Sequence, residues 1–247
     1  MNPLILIPAR MAAARLPGKP MADIGGRPMI VRAWEQAAAS GFAVAVAAGD
    51  PEIVAAIQAV GGVALLTDPA LPSGSDRIRA AVEALDPNGR HDAIINLQGD
   101  MPFADPGLAR TCAALLEAEP ACDIATLVAR EADEDDRTNV DVVKAVLALE
   151  TGASRGRALY FTRSTLYGDG PVWRHIGIYG YRREALMRFC AAPPSPLERR
   201  EKLEQLRALE VGLQIWAAVI AEAPLSVDNP ADLEAARAIL SQAPGLG

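Results

Sequence analysis

Through its first half the chain alternates short apolar runs of strand length with segments whose apolar positions recur at helical spacing. Leu4 to Ile7, Phe42 to Ala47, Val63 to Leu66, Ala93 to Leu97 and Ile124 to Val128 read as strands, and the stretches 29–40, 51–60, 75–85 and 105–118 between them as helices. Pro51 and Pro106 stand at first-turn positions behind Asp50 and Asp105, which mark two helix starts as N-caps. Strands separated by helices predict an α/β protein with a mostly parallel sheet and helices on both faces. Past about residue 130 the alternation lapses. Val142 to Leu149, Ala158 to Phe161 and His175 to Tyr181 read as strands without long helices between them, and the acidic run Glu131 to Asp136 as solvated helix or loop. The turn-rich Ala191-Ala192-Pro193-Pro194-Ser195-Pro196 leads into a charged helix from about Pro196 to Leu209. A strand near Leu213 to Ala218 and a helix from about Pro230 to Leu240 follow.

The end of the first predicted strand carries the densest chemistry. The run stops at Pro8-Ala9, and the next ten residues hold three cations, Arg10, Arg15 and Lys19, and one glycine, Gly18. In open α/β sheets ligands bind beyond the carboxyl ends of strands. Arg10 and Arg15 offer forked donors to phosphate oxygens, Lys19 a compact charge, and Gly18 a backbone without a Cβ. The bland alternative is a solvated surface loop. A Walker loop is excluded by Ala13 and Pro20, and a dinucleotide fingerprint by the lack of further glycines before Gly25-Gly26. A second constellation, Asn96-Leu97-Gln98-Gly99-Asp100, ends the fourth strand. Asp100 either holds a hard cation against a bound triphosphate or caps the following turn. Asp228, just ahead of Asn229-Pro230, is either a second such carboxylate or part of a helix-start cap.

At 247 residues and 51% hydrophobic, the chain can bury a substantial core and fits one large α/β domain or a domain with a small appendage. Its formal net charge of -7 argues against nucleic acid as partner, so a cationic cluster inside it points to a small anionic ligand. Cys112, Cys122 and Cys190 lack metal-ligand spacing and fit buried thiols in a reducing compartment. His91 and His175 have no neighbours at zinc spacing. No apolar run reaches the roughly eighteen residues of a membrane span, and no basic segment precedes the first apolar run. A cytoplasmic protein without membrane insertion or signal peptide is expected.

Several segments together resemble the ordered motifs of the 3-deoxy-manno-octulosonate (Kdo) cytidylyltransferases, in the sugar nucleotidyltransferase superfamily. They are Ile7-Pro8-Ala9-Arg10, Arg15-Leu16-Pro17-Gly18-Lys19-Pro20, Gly26-Arg27-Pro28-Met29-Ile30, Ser73-Gly74-Ser75-Asp76-Arg77 and Asn96-Leu97-Gln98-Gly99-Asp100. Further along come Arg174-His175-Ile176-Gly177-Ile178-Tyr179-Gly180-Tyr181, Pro194-Ser195-Pro196-Leu197-Glu198 and Leu203-Glu204-Gln205-Leu206-Arg207. The likeness runs from about residue 5 to the Val227-Asp228-Asn229-Pro230-Ala231-Asp232-Leu233 segment. The first three motifs occur in looser form across sugar nucleotidyltransferases, whereas the histidine-tyrosine and Pro-Ser-Pro-Leu-Glu motifs are much more specific.

The resemblance implies a Rossmann-like nucleotidyltransferase fold in a single domain over 1–247. About 1–130 and 211–247 would form the nucleotide-binding core, and about 131–210 a strand-rich sugar-binding and dimerisation insertion. It further implies a cytoplasmic homodimer that converts CTP and Kdo into CMP-Kdo and pyrophosphate, with Mg²⁺, for lipopolysaccharide. By the same likeness CTP would be held by Pro8, Ala9, Arg10, Arg15, Lys19, Ser73, Gly74, Arg77 and Gln98, and Mg²⁺ by Asp100 and Asp228. Lys19, Asp100 and Asp228 would be catalytic, and Gln98, Arg163, His175, Tyr179, Glu198 and Glu201 would bind the sugar acid. Glu198, Glu201 and Glu204 also fit a solvated helix face, since a spacing of three puts them on neighbouring turns. Two departures stand out: Met101 replaces the glutamate of the family's Gln-Gly-Asp-Glu-Pro, and the segment around Trp173 is shorter than in many members. Two alternatives remain at this level, a cytidylyltransferase for another sugar acid such as a sialic acid or amino-Kdo, and a nucleotide-binding regulator without catalysis.

Overall fold

A run of four apolar residues without alternation belongs in a strand covered on both faces, and Leu4, Ile5, Leu6 and Ile7 are all buried in β1 (Pro3–Ala9). The computed structural model describes residues 1–12, 16–131 and 135–242. After β1 come β2 (Asp23–Ile24), β3 (Arg27–Pro28), α1 (Met29–Ala38), β4 (Ala43–Ala48), α2 (Pro51–Ala59), β5 (Val63–Leu66), α3 (Gly74–Leu85), β6 (Ala93–Asn96) and α4 (Pro106–Ala118). Then follow β7 (Ile124–Glu131), α5 (Asp135–Thr138), β8 (Lys144–Ala148), β9 (Arg155–Thr162), β10 (Val172–Arg182), α6 (Arg183–Ala191), α7 (Pro196–Glu201), α8 (Gln205–Glu210), β11 (Ile215–Ile220) and α9 (Pro230–Gln242). The chain forms two compact units. One comprises residues 2–91, 96–109 and 224–247, the other residue 1 with 92–95 and 110–223. These divisions fall near 110 and 223, where the sequence pattern changes near 130 and 211, because β7 and β11 pair with β10 and β9.

In the first unit β4 pairs in parallel with both β1 and β5. Parallel neighbours need a crossover, and α1 and α2 supply it. Helix α1 buries Met29, Ile30, Val31, Ala33 and Ala37. Pro51 opens α2 as expected, but Asp50 makes no side-chain cap bond and instead accepts the Met11 N–H at 2.7 Å, tying the loop after β1 to the end of β4. Asp105 accepts the Gly107 N–H at 2.6 Å at the start of α4. The β2–β3 hairpin, not anticipated from sequence, packs with α9 through a buried cluster of Ile24, Met29, Val227, Leu233 and Ala236.

In the second unit the expectation of a mostly parallel sheet needs correction. Within the ring of five strands that β7 to β11 close, β7–β11 is parallel, and β10–β7, β11–β9, β8–β9 and β10–β8 are all antiparallel. The short link between β8 and β9 forces the antiparallel β8–β9 pair, since so few residues can make a hairpin but not a crossover. The single charged helix expected over Pro196 to Leu209 is broken into α7 and α8 at Lys202, whose φ of 56° is left-handed. The break lets the Lys202 and Leu203 N–H groups both reach the Glu198 carbonyl, a common way of ending a helix. Helix α6, which buries Ala185, Leu186 and Phe189, is absent from the sequence reading. The acidic stretch expected at Glu131 to Asp136 falls partly outside the described residues. No helix among the described residues is long and apolar enough to cross a membrane.

Candidate active site

In the first unit the end of β1, the start of α3 and the segment after β6 line a cavity of about 140 Å³, formed by Pro8, Ala9, Arg10, Ser73, Gly74, Arg77 and Gln98. These are seven of the nine residues the sequence likeness assigns to CTP. Arg15 lies outside the described residues. Ser73 caps α3, its Oγ accepting the Asp76 N–H at 3.1 Å, and Gly74 opens the helix against Pro8. Gly49 lies close by both cations: a Cβ there would lie 3.0 Å from Arg77 Nη1 and 3.1 Å from Arg10 Cβ, so either side chain would have to shift. Gln98 Nε2 donates to Asn96 Oδ1 at 3.1 Å.

Arg77 is only 2% exposed. Its Nη1 donates to Thr67 Oγ1 and, at 3.2 Å, to the Asp68 carbonyl, while Nη2 has no hydrogen-bond partner among the described residues. Burial first, and then the charge of Arg10, hold its pKa below the usual arginine range. A desolvated guanidinium with an unused donor, beside a second guanidinium, favours a strong or anionic acceptor in the cavity.

Lys19 reaches its place through Gly18, whose φ of 70° starts the 3₁₀ turn Lys19–Met21. Its Nζ stands 2.7 Å from Asp100 Oδ2 and 3.1 Å from Asp228 Oδ1, uniting the three residues expected to be catalytic. Gly99 lets Asp100 approach, because a Cβ there would lie 3.0 Å from Ile30 Cδ1. The Val227 N–H donates to the Asp100 carbonyl at 2.9 Å, fastening the two carboxylate segments together. The capping alternative for Asp228 is answered by Asn229, whose Oδ1 accepts the Ala231 and Asp232 N–H groups at 2.8 and 3.1 Å.

Asp100 Oδ1 is buried without a hydrogen-bond partner among the described residues. Two carboxylates with such an oxygen fit a hard divalent cation that completes its shell with phosphate oxygens and water. No group of three or more histidine, cysteine or acidic side chains among the described residues could hold a metal alone. Met101 is 6% exposed, so the position lacking the family's glutamate is an apolar packing position.

Five of the six sugar-acid candidates lie in the second unit. Strand β10 bulges: Ile176 faces Leu127 and Tyr179 faces the adjacent Thr126, leaving Gly177 and Ile178 between them. Thr126 Oγ1 fastens the bulge, 2.9 Å from the Ile178 carbonyl and 3.0 Å from His175 Nε2. His175 and Tyr179 are thereby brought together, centroids 5.4 Å apart, in a ladder of rings that runs Phe161, His175, Tyr179, Tyr181, Phe189. Burial lowers the His175 pKa to about 3, and burial followed by the Glu204 charge pushes the Tyr179 phenol above its usual range. Both are neutral at physiological pH.

Arg163 and Glu201 meet at the end of β9. Glu201 accepts from Thr162 Oγ1 at 3.0 Å, Tyr160 Oη at 3.3 Å and the Arg163 N–H at 3.4 Å. Burial alone would raise its pKa, but these bonds and Arg200 hold it below the carboxylate range. The Arg163 guanidinium donates to the Val140 and Asp141 carbonyls at 3.2 and 3.3 Å. Glu198 closes a capping box with Ser195 and takes a fork from Arg207 at 2.8 and 2.6 Å, which outweighs burial and lowers its pKa. The sequence reading missed Lys144, which is fully buried and donates to the Asn139 and Arg163 carbonyls at 2.7 and 2.9 Å. Its signal was a lysine inside an apolar strand, between Val143 and Ala145.

His175 gives a pH dependence of stability. Its unfolded pKa is about 6.5 and its folded one about 3. Between these values the unfolded chain binds the proton and the folded one does not, so stability is greatest above pH 6.5 and falls as the pH drops toward 3. The slope from this residue is at most about 1.4 kcal/mol per pH unit, less where solvent reaches the ring. Urea unfolding at pH 7 and 5 should show a smaller drop for His175→Gln than for the wild type, and an equal drop would reject the assignment.

A family model described as cytidylyltransferase matches residues 4–215. The chain is 57% identical over 243 residues to the 3-deoxy-manno-octulosonate cytidylyltransferase of Parvibaculum lavamentivorans, covering 98% of this chain and 93% of the relative. With its namesake from Rhodospirillum centenum it shares 56% over 246 residues, 99% and 95% of the two chains. The solved structure of a CMP:2-keto-3-deoxy-manno-octonic acid synthetase complexed with CTP superposes with a TM-score of 0.89 at 36% identity, over 98% of this chain and 99% of that one. A 4-diphosphocytidyl-2C-methyl-D-erythritol synthase from Anaerococcus prevotii, at 12% identity and a TM-score of 0.64, shares the mixed α/β nucleotidyltransferase fold alone. This chain belongs to the 3-deoxy-manno-octulosonate cytidylyltransferases.

Proposed function

We propose that this enzyme transfers CMP from CTP to the anomeric hydroxyl of Kdo, releasing pyrophosphate and giving CMP-Kdo for lipopolysaccharide. The observation that carries the reading is the Asp100–Lys19–Asp228 cluster, in the unit whose cavity is lined by Arg10 and Arg77. The hydroxyl attacks the α-phosphorus in line, so the protein's work is positioning and charge neutralisation. Arg10, Arg77 and Ser73 hold the nucleotide, Gln98 orients it, and Lys19 offsets charge on the departing pyrophosphate. Asp100 and Asp228 would hold Mg²⁺, which when bound neutralises phosphate charge and lowers the pKa of the attacking hydroxyl. Arg163 supplies the cation for the sugar acid's carboxylate, and neutral His175 and Tyr179 supply polar contacts for its hydroxyls. The three cysteines are free thiols, two of them buried, as suits a reducing cytoplasm. Pyrophosphate release from CTP should be measured with Kdo, amino-Kdo and sialic acid. Turnover fastest with Kdo supports the reading; preference for another acid or no turnover overturns it.

We also propose a homodimer built through the strand-rich region, roughly 140–210. An open groove of about 800 Å³ lies there, lined in part by Val146, Leu147, Leu149, Leu166, Tyr167 and Trp173, and Tyr167 is 94% exposed. Exposed apolar side chains gathered in one place suit an interaction surface, and a second copy is the simplest cover. Light scattering at micromolar concentration should give about twice the chain mass, and Val146→Glu should shift the protein toward monomer or aggregate. A fully active wild-type monomer would refute it.

A further inference from the structure

The start of α9 holds more hydrogen bonds than a helix start needs. Asn229 is the N-cap, and Asp232, three residues on, accepts the Asn229 N–H on its Oδ2 at 3.0 Å, the reciprocal arrangement of a capping box. The same Oδ2 accepts a second bond, from the N–H of Asp228 at 2.8 Å. That second bond does nothing for the helix, whose first carbonyl-to-amide bond runs from the Leu233 N–H to the Asn229 carbonyl. What it holds is the main chain of the residue whose carboxylate faces Lys19. On its other side that segment is held by the Val227 N–H on the Asp100 carbonyl at 2.9 Å. The Asp228 backbone is therefore clamped between Asp100 and Asp232, and the carboxylate has little freedom except about its own side-chain torsions.

We infer that Asp232 is a positioning residue for the divalent cation: by accepting the Asp228 N–H it sets the distance between the Asp228 and Asp100 carboxylates. The inference rests on the proposed role of those two carboxylates. It calls for an acceptor oxygen at 232 rather than for a negative charge, because one oxygen takes both bonds. Outer partners that orient metal-binding carboxylates change metal affinity about 10- to 100-fold when removed.

The test is a Mn²⁺ titration followed by loss of the free-ion electron paramagnetic resonance signal, with protein and CTP against a CTP-only baseline, alongside the Mg²⁺ dependence of pyrophosphate release. Asp232→Ala should weaken Mn²⁺ binding about tenfold and raise the half-saturating Mg²⁺ by a similar factor. Asp232→Asn, which keeps an acceptor oxygen, should stay within about threefold of wild type. Asn229→Ala controls for the helix start: it removes the N-cap side chain but not the Asp228 bond, so it should lower the melting midpoint about as much as Asp232→Ala while leaving Mn²⁺ affinity unchanged. Wild-type affinity in Asp232→Ala, or equal weakening in Asn229→Ala, would reduce Asp232 to a helix cap and overturn the inference. Failure of the underlying reading looks different: there the wild type shows no Mn²⁺ binding above baseline, or Asp228→Asn binds like wild type.

Discussion

Asp100→Asn and Asp228→Asn are each expected to lower Mg²⁺-dependent turnover by about a hundredfold or more while leaving the fold intact. Each substitution keeps the shape of the side chain and removes a negative charge, so the loss falls on the cation and the phosphates it would neutralise. Asp100 has the stricter position, since its segment passes Ile30 through Gly99 and its Oδ1 is buried without a hydrogen-bond partner among the described residues. Asp228 is more open, its side chain 40% exposed against 22% for Asp100, and its substitution should be the milder of the two. Stability should change little, because partly exposed ion pairs such as those with Lys19 contribute on the order of 0–1 kcal/mol. Circular dichroism and a melting midpoint would verify the fold, and initial rates of pyrophosphate release across Mg²⁺ concentrations would measure the loss. Near-normal turnover in either variant would remove that residue from the metal site.

The parallel half of the fold and its cavity were legible because their signals are local. Apolar runs such as Leu4 to Ile7 fix a doubly covered strand, and the chemistry follows directly at its carboxyl end, so Pro8, Ala9 and Arg10 could be read as a site before their partners were known. The second unit was less legible because its decisive contacts are distant in sequence or break a local pattern. A continuous charged helix is the natural reading of Pro196 to Leu209, yet the Arg207 fork on Glu198 and the left-handed Lys202 fold it back on itself. Glu198 shows the same limit: its sequence position offers a carboxylate aimed at the sheet edge, and the arginine that forks onto it lies nine residues on. The bulge at Gly177 and Ile178 is fastened by Thr126, about fifty residues earlier, and no periodicity reports such a bond. Lys144 was hidden by its surroundings, an apolar strand in which a single lysine looks like an edge residue.

Lys19 is expected to act on the chemical step more than on nucleotide binding. Its ammonium now lies between Asp100 and Asp228, where it balances two carboxylates. A divalent cation held by the two carboxylates would take over that balance, freeing the flexible lysine stem to bring the ammonium toward the phosphates, where charge would grow as pyrophosphate departs. Lys19→Ala should therefore lower kcat by about a hundredfold, in the range found for removing one preorganised donor to a transition state. The CTP dissociation constant, measured by calorimetry, should rise much less, since Arg10 and Arg77 remain in the cavity wall. Mn²⁺ should bind the CTP-free variant at least as tightly as the wild type, because the ammonium no longer competes for the two carboxylates. A rise confined to the Michaelis constant for CTP would show that Lys19 contributes uniform binding instead. Weaker Mn²⁺ binding in the variant would show that the ammonium organises the carboxylates rather than competing for them.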